Sequence, residues 1–531
     1  MIYKSLLAVA VSGFTLVGCT TLPPGENSSA LASESALQEI AEVPAESAAP
    51  PEELVVAPEP VDLWQRMRDG YQLPKDDNPR VQKYLEWYSK HPSYIARVTE
   101  RGAPFLHYIL EQLDARDMPL ELALLPIVES AFDPFAYSHG RASGMWQFIP
   151  GTGKQYGLKQ NWWYDGRRDP MAATDAALNY LSDLHRRMGD DWLLALASYN
   201  TGEGNVRRAQ RRNDKKGLAT DFWSLDLPRE TEMYVPQLIA LAIIFDNPEQ
   251  YQISLTPVED SAYFEAVDVG SQIDLAQAAS MADISLDDLY KLNAGFNRWA
   301  TDPQGPHRLL VPVDKAEGFR EQLGALPATQ RVSWERYKVR SGDSLLGIAG
   351  KYNTTVETLR EHNNIRGNLI RAGQMLLIPT ASQPANAYTY SANQRLMRTQ
   401  EKGAGASGAS KVTYQVRQGD SLWSISRKYN VSVRKLAKWN GMAPGDTLRS
   451  NQKLVIWTNS AAATTASNSS RNDGIIRKVA YQVRKGDSLA RIAGKFNLSV
   501  NDILRWNGVN KNAYLQPGQS LTLFVDVTRA Y

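Results

Sequence analysis

Apolar and aromatic residues recur at helical spacing through the first globular part of the chain. They run from 61 to 117 and continue over 118–250, without the strict alternation of apolar and polar residues that marks half-buried strands. Asp169 followed by Pro170 is a typical helix start, and Gly189 is a typical stop. The pattern therefore predicts a mainly α region, in which a helical extension, 61–117, precedes a second helical part, 118–250.

The C-terminal half has a different pattern, which occurs three times. Each copy begins with a tyrosine, carries Gly-Asp-Ser-Leu five residues later and has an asparagine twenty-six residues after the tyrosine. Each closes with a short apolar run, and the local order indicates strand, helix, helix, strand. The units span 337–380, 414–457 and 481–526, with linkers rich in small and polar residues at 381–411 and 458–478.

These repeated units resemble the LysM family over their whole length. The resemblance implies binding to glycans that contain N-acetylglucosamine, with peptidoglycan as the target in a bacterium. In this family sugar lies in a shallow groove between the first strand–helix loop and the second helix–strand loop. The matching first-loop positions are Gly342, Asp343, Ser344, Gly419, Asp420, Ser421, Gly486, Asp487 and Ser488. The alternative is that the repeats are only spacers that contact other proteins.

A fourth and weaker copy precedes these three. Asp274–Asn293 aligns without gaps on Ser488–Asn507, but the segment lacks the Gly-Asp loop and the initial tyrosine. We expect residues 260–315 to form a degenerate LysM-like module that packs against the helical region. Without the loop, we expect it to have lost its sugar site.

The N-terminus carries a processing signal. An apolar run too short to span a bilayer predicts that residues 1–18 are a removable signal peptide. It ends at Cys19, the only cysteine, in a sequence that resembles the bacterial lipoprotein processing box. The resemblance implies acylation of Cys19 and anchoring in a lipid bilayer. The residue that follows Cys19 is Thr20 rather than Asp. The resemblance therefore implies sorting to the outer membrane of a Gram-negative bacterium, with the protein facing the periplasm.

Composition and charge add a tether and argue against other functions. Residues 19–60 contain eight Glu and no Lys or Arg, which predicts a disordered acidic tether. A net charge of +2 over 531 residues gives no reason to expect binding to nucleic acid. The six His residues have no metal-ligand spacing and no phosphate-binding loop stands out, so neither a metal nor a cofactor is predicted.

One carboxyl group is placed where a proton donor can be made. The apolar segment 124–132 predicts a helix whose end carries Glu129 among Ile127, Val128 and Phe132. Apolar neighbours and the negative end of the helix dipole both favour the neutral carboxyl, so we expect its pKa to be raised. Such a group can give its proton to a glycosidic oxygen near neutral pH.

Four blocks in order resemble the soluble lytic transglycosylase and goose-type lysozyme superfamily. They are the Glu129 segment and residues 142–153, 197–202 and 230–235. The resemblance implies a multidomain protein, with a mainly α lysozyme-like domain followed by small α+β LysM repeats. It also implies that Glu129 acts as acid and base on peptidoglycan.

The superfamily match also suggests residues that contact substrate. Ser138 matches a serine near the acetamido group, and Gly144 would let the backbone approach substrate. Met145 and Trp146 would offer apolar faces to sugar rings, and Gln147 would supply hydrogen bonds. The residues expected to orient substrate or support the opposite wall are Tyr199, Asn200, Glu230 and Tyr234. The alternative is that Trp146, Tyr199 and Tyr234 are ordinary core aromatics.

A second catalytic carboxylate is not evident near Glu129. Between Glu129 and Trp163 the only other acid is Asp133, in an Asp-Pro turn. Glycosidases usually need two. The superfamily resemblance implies instead that the substrate assists, giving 1,6-anhydromuramic acid ends. A hydrolytic muramidase and a non-catalytic peptidoglycan-binding lipoprotein are the alternatives.

Overall fold

The structure is a computed structural model, which describes residues 62–138, 140–402, 409–459, 476–484, 486–496, 498, 500–508 and 515–526. The predicted signal peptide, Cys19 and the acidic tether lie outside these residues, as does most of the predicted linker 458–478. In the described part of the chain, no helix has both the length and the apolar character needed to cross a bilayer.

Helices make up the region that the apolar spacing predicts to be α. Helices α1 to α9 are Leu63–Asp69, Pro79–Ser89, Pro92–Asp114, Leu125–Ser130, Pro150–Gln155, Pro170–Arg187, Trp192–Thr201, Glu203–Asp214 and Arg229–Asp246. At the start of α6 the Asp169 side chain accepts a hydrogen bond from the backbone N–H of Ala172 (2.9 Å). Gly189 follows the end of this helix with a φ of 77°, so both predicted boundaries are confirmed.

These helices share one core, which includes the N-terminal extension. Buried side chains of α1, α2 and α3 join those of α7 and α9 in a single apolar cluster. Helix α2 packs along α9, and the Gln237 side chain of α9 donates a hydrogen bond to the Tyr88 hydroxyl of α2 (2.8 Å). The extension is therefore part of the same domain as the helices that follow it.

A small strand–helix–helix–strand unit comes next. Its elements are β1 (Phe264–Asp268), α10 (Leu275–Met281), α11 (Leu286–Leu292) and β2 (Arg308–Pro312), and helix α12 (Val313–Ala325) packs on it. Strands β1 and β2 pair antiparallel. The core of the unit includes Trp163 and Tyr164 of the helical region, and the N–H of Asp165 donates to the carbonyl of Gly295 (2.8 Å). The unit is thus packed against the helical region.

The three C-terminal repeats have the predicted order of elements. The first is β3 (Ser333–Lys338), α13 (Leu345–Lys351), α14 (Val356–His362) and β4 (Met375–Thr380). The second is β5 (Ala409–Gln415), α16 (Leu422–Lys428), α17 (Val433–Trp439) and β6 (Lys453–Asn459). The third is β7 (Ile476–Gln482), α18 (Leu489–Lys495), α19 (Val500–Asn507) and β8 (Ser520–Asp526). In each the two strands pair antiparallel, which confirms the predicted fold class.

The asparagine that recurs in each repeat ties the second helix to the closing strand. In the first of the four units the Asn293 side chain donates to the carbonyl of Leu310 (2.8 Å) and accepts from its N–H (2.9 Å). The same pair of bonds joins Asn363 to Leu377, Asn440 to Val455, and Asn507 to Thr522. An amide side chain carries both a donor and an acceptor. It can therefore bond to the C=O and the N–H of one strand residue, as the backbone of a neighbouring strand would.

The Gly-Asp-Ser motif builds the turn before the first helix. The Asp343 carboxylate accepts from the Tyr337 hydroxyl (2.8 Å) and the Arg340 N–H (2.7 Å), and Ser344 caps α13. Gly342 has a φ of +87°, which favours glycine. The other two copies repeat these bonds with Asp420, Ser421, Asp487 and Ser488. These intramolecular contacts explain the motif, and contact of its residues with sugar stays a prediction.

Part of the predicted linker 381–411 is packed rather than flexible. Tyr388 is buried and its hydroxyl donates to Asp274 (2.9 Å), while Tyr390 stacks on Phe135 at 4.8 Å between ring centroids. Helix α15 (Ala392–Lys402) follows. The small and polar composition predicts a coil, but two aromatic side chains anchor this segment to elements distant in sequence.

Candidate active site

A cleft in the helical domain brings together most of the residues predicted to contact substrate. Its volume is about 900 Å³, within the range of small-molecule binding sites. The predicted site residues that line it are Glu129, Ser138, Gln147, Tyr199, Asn200, Glu230 and Tyr234. They come from α4, α7, α9 and the loop between α4 and α5.

Glu129 lies in the last turn of α4, partly accessible from the cleft. The helix ends directly after it because Ala131 and Phe132 both have a left-handed backbone, with φ values of 54° and 56°. The Ser130 hydroxyl donates to the carbonyl of Met145 (2.9 Å), and the Arg101 side chain donates to the carbonyl of Ala131 (2.7 Å). These contacts fix the position of the carboxyl group.

The surroundings of Glu129 keep its carboxyl near the midpoint of titration at neutral pH. Burial, aided by the charge of Glu230, raises the pKa of Glu129 to about 7. The Tyr234 hydroxyl donates a short hydrogen bond to Oε1 of Glu129, which acts in the opposite direction on the pKa. Burial also raises the pKa of Tyr234 well above its ordinary value, so this phenol is a neutral donor. Glu129 can therefore exist as an acid or as a base near neutral pH.

The remaining polar residues of the cleft are held by neighbours. The Tyr199 hydroxyl donates to the carbonyl of Trp146 (2.7 Å), and the Asn200 side chain accepts from Thr231 (2.7 Å). The Gln147 side chain donates to the carbonyl of Gly144 (2.8 Å). The Ser138 hydroxyl accepts from the N–H of Ala142 (3.0 Å) and so closes its own loop. The polar wall is thus fixed before any ligand binds.

Three predicted substrate contacts are wrong. Met145 is 2% and Trp146 0% exposed, so neither can offer a face to a sugar ring. The Trp146 indole N–H donates to the buried Thr174 hydroxyl (3.0 Å), which makes it a core residue, as the alternative reading stated. Gly144 approaches the carbonyl of Arg167 rather than the cleft: a Cβ at this position would lie 1.9 Å from that oxygen.

The N-terminal extension contributes a wall of the cleft that the sequence does not predict. Lys83 and Tyr84 of α2 line the cleft, as do Met233 and Gln237 of α9. Burial raises the pKa of Tyr84. The helical spacing of apolar residues in α2 predicts that one face is buried. It does not identify what covers that face, which is helix α9, about 150 residues further along the chain. Tyr180 of α6 also lines the cleft and lies beside Tyr199, with 5.3 Å between ring centroids.

The described residues contain no group of three or more His, Cys, Asp or Glu side chains arranged to hold a metal ion. Two carboxylates line the cleft among the residues that the structure describes, those of Glu129 and Glu230. The residues that line the cleft can themselves transfer protons and form hydrogen bonds, and they set the shape of the cleft.

Comparison with known protein families assigns most of the chain. A family described as "Transglycosylase SLT domain" matches residues 108–222. The family "Lytic transglycosylase MltD, LysM-like domain" matches residues 263–328, and the LysM domain matches 337–379, 414–457 and 481–524. These matches cover the middle of the helical domain, from the end of α3 to α8, and all four small units.

Individual relatives agree with the family matches. Membrane-bound lytic murein transglycosylase D of Escherichia coli K12 is 38% identical over 401 residues, which cover 73% of this chain and 85% of the relative. An autolysin of Enterococcus faecalis is 34% identical over 185 residues, which cover 35% of this chain and 24% of the relative.

Solved structures align over about a quarter of the chain. The lytic transglycosylase Slt of Pseudomonas aeruginosa has a TM-score of 0.23 and 24% identity, and covers 28% of this chain and 25% of that one. The 70 kDa soluble lytic transglycosylase of Escherichia coli has a TM-score of 0.21 and 23% identity, and covers 26% and 23%. With a transglycosylase domain, LysM repeats and a relative matched over most of its length, the chain is a lytic transglycosylase that belongs to the family of membrane-bound lytic murein transglycosylase D.

Proposed function

We propose that this enzyme breaks the β-1,4 bond between N-acetylmuramic acid and N-acetylglucosamine and leaves a 1,6-anhydromuramic acid end. The observation that supports this most is Glu129, a carboxyl in the cleft whose pKa burial raises to about 7. At neutral pH a large fraction of the enzyme then carries the proton that the leaving oxygen needs.

Glu129 first acts as the acid. It gives its proton to the glycosidic oxygen as the bond from C1 of the muramic acid breaks, and the oxygen of the N-acetyl group on the same sugar forms a bond to C1. The ionised Glu129 is then stabilised by the hydrogen bond from the Tyr234 hydroxyl. Ser138 lines the same cleft and is the residue that we assign to the acetamido group.

Glu129 next acts as the base. It takes the proton of the C6 hydroxyl, whose oxygen bonds to C1 and displaces the N-acetyl oxygen. This closes the anhydro ring and returns Glu129 to its protonated form, so one residue completes the cycle. A pKa near the working pH suits both steps, because neither protonation state is strongly disfavoured.

Glu230 supports the second candidate, a hydrolytic muramidase. It lies in the cleft with Glu129 and its charge raises the pKa of Glu129, so the two groups are close enough to interact. In that reaction Glu230 would activate a water molecule, as in glycosidases with two carboxylates. We favour the anhydro product because the Glu230 side chain is exposed, whereas the Glu129 carboxyl is held by the Tyr234 hydroxyl.

The products of digestion decide between these reactions. We expect wild-type digests of peptidoglycan to contain muramic acid ends that are one water molecule lighter than reducing ends, measured by mass spectrometry. The Glu230→Gln variant should give the same anhydro ends, because the C6 hydroxyl and not water is the acceptor. Reducing ends would instead indicate hydrolysis, and an absence of any cleavage would favour a binding protein.

The pH dependence of kcat/KM tests the two neighbours of Glu129 with opposite signs. Tyr234→Phe removes a hydrogen bond that lowers the pKa of Glu129, so the alkaline limb of the profile should move to higher pH. Glu230→Gln removes a charge that raises this pKa, so the limb should move to lower pH. Glu232→Gln, which makes the same charge change on α9, is the matched control and should leave the limb in place. Shifts of the same sign in the first two variants would contradict the assignment.

We also propose that the ends of the chain hold the enzyme at its substrate. Acyl chains on Cys19 would anchor it to the outer membrane on the periplasmic side, and a tether of about 40 residues spans roughly 35 Å as a coil. The three LysM repeats would bind peptidoglycan, which raises the concentration of glycan near the cleft. The module at 260–315 would serve as packing without a sugar site.

A further inference from the structure

We infer that the second LysM repeat, residues 414–457, is a fixed part of the glycan-binding surface of the active site. Its second helix–strand loop and the loop that carries Ser138 and Arg141 enclose a second site, which takes the N-acetylated glycan strand that extends out of the cleft. This inference rests on the proposed function and adds a subsite to it.

One loop of the helical domain borders both sites. Ser138 and Ala142 line the catalytic cleft, whereas Arg141 lines a second, more open cavity of about 680 Å³. The position of Arg141 is fixed because the Arg167 guanidinium donates to its carbonyl (2.7 Å). Arg167 is itself buried and paired with Asp165 (2.8 Å). The same loop therefore borders both sites, and Arg141 is held in place within it.

The second repeat meets this loop through an ion pair. The Arg141 guanidinium pairs with the Asp446 carboxylate and also donates to the carbonyl of Gly445 (3.0 Å). Asp446 is oriented by the backbone N–H of Ala443 (2.8 Å), and its side chain is 19% exposed, against 42% for Arg141. The first repeat has no acid to match Asp446: its loop is one residue shorter and has Asn368 and Leu369 in this region.

The cavity beside this ion pair has the chemistry of a sugar site. Besides the charged Asp446 and Arg449, its wall in the second repeat presents hydroxyl and amide side chains next to one apolar side chain. These residues are Met442, Thr447, Ser450, Asn451 and Gln452. Hydroxyl and amide groups match the donors and acceptors of an amino sugar, and a thioether side chain can pack on a pyranose face. Arg141 and Asp446 also line this cavity, which is open enough to admit a strand.

A second and independent contact holds the repeat in this orientation. The Trp457 indole donates to the carbonyl of Gln400 in α15 (2.9 Å), and the Gln400 side chain donates to Asn440 (3.0 Å). The segment before α15 is fixed to the helical domain by the stacking of Tyr390 on Phe135. This attachment and the ion pair with Arg141 involve different residues of the repeat and together restrict its rotation, so the cavity stays aligned with the cleft.

Reversing one charge tests the inference in the full chain. Asp446→Arg places two guanidinium groups against each other, and we expect KM for isolated glycan strands to rise about fivefold, with kcat unchanged. Glu357→Arg makes the same charge reversal at an exposed acid of the first repeat and reports what that reversal does to a repeat away from Arg141. The double variant Arg141→Asp with Asp446→Arg restores the ion pair and should recover most of the wild-type KM.

The same variants separate the inference from the proposed function. Equilibrium binding of glycan strands, measured without turnover on the same proteins, should weaken by the same factor in Asp446→Arg and recover in the double variant. If KM and binding are unchanged, or if Asp446→Arg binds strands more tightly, the repeat does not extend the site and the inference is overturned. If binding behaves as expected but no variant cleaves glycan, the proposed function fails while the binding surface stands.

Discussion

Replacing Glu129 with glutamine is expected to lower kcat for peptidoglycan on the order of a thousandfold. Glutamine keeps the volume of the side chain and an oxygen that can accept from the Tyr234 hydroxyl, but it has no proton to give to the leaving oxygen. Because substrate would still contact Ser138, Tyr199 and Asn200, KM should change little. The measurement is the rate of release of soluble fragments from sacculi, compared with wild type.

The stability of the Glu129→Gln variant shows whether its lower rate results from a damaged fold. Burial raises the pKa of Glu129 from 4.5 to about 7, so ionisation costs more in the folded than in the unfolded protein. This cost is absent below the unfolded pKa and complete above the folded one. Glu129→Gln should therefore stabilise the domain by about 3 kcal/mol at pH 8 and by almost nothing at pH 4. A slow variant that is also destabilised at pH 8 would contradict the assignment.

Local sequence predicted the parts of the site that depend on neighbours in the chain. The apolar residues on both sides of Glu129 indicated a buried helix end, and α4 ends one residue after it. The Gly-Asp-Ser motif and the asparagine of each repeat indicated a shared fold. In the structure, the aspartate of the motif and the asparagine each form hydrogen bonds with the backbone of their own repeat. In each case the stabilising contacts join residues that are close in sequence or lie within one short module. A local sequence pattern can predict such contacts.

Contacts between distant segments could not be predicted in this way. Trp146 lies in a block that resembles substrate-binding sequences, yet its partner is Thr174, and the packing of α6 decides that it is buried. The wall formed by α2 and the anchoring of Tyr390 on Phe135 depend on three-dimensional neighbours that leave no periodic signal. Burial of an aromatic side chain is predictable from composition, but the surface that covers it is not.

Gly144 gives the second large effect, since the backbone has no room for a side chain there. Its φ is +83°, and a Cβ would lie 1.9 Å from the carbonyl oxygen and 2.9 Å from the carbonyl carbon of Arg167. Arg167 cannot retreat easily because its side chain is bonded to Asp165 and to the carbonyls of Arg141 and Phe148. We expect Gly144→Ala to destabilise the helical domain by about 3 kcal/mol or more, measured by thermal or urea unfolding.

Gly157→Ala is the matched control, because it separates the clash from the backbone conformation. Gly157 has nearly the same φ, +80°, but a Cβ there would meet no atom within 4 Å. Its substitution should cost only about 1 kcal/mol, the price of a left-handed alanine. Equal losses in the two variants would show that the loop around Arg167 yields. A stable Gly144→Ala variant with a raised KM would show that this glycine faces the glycan, as the sequence blocks alone had suggested.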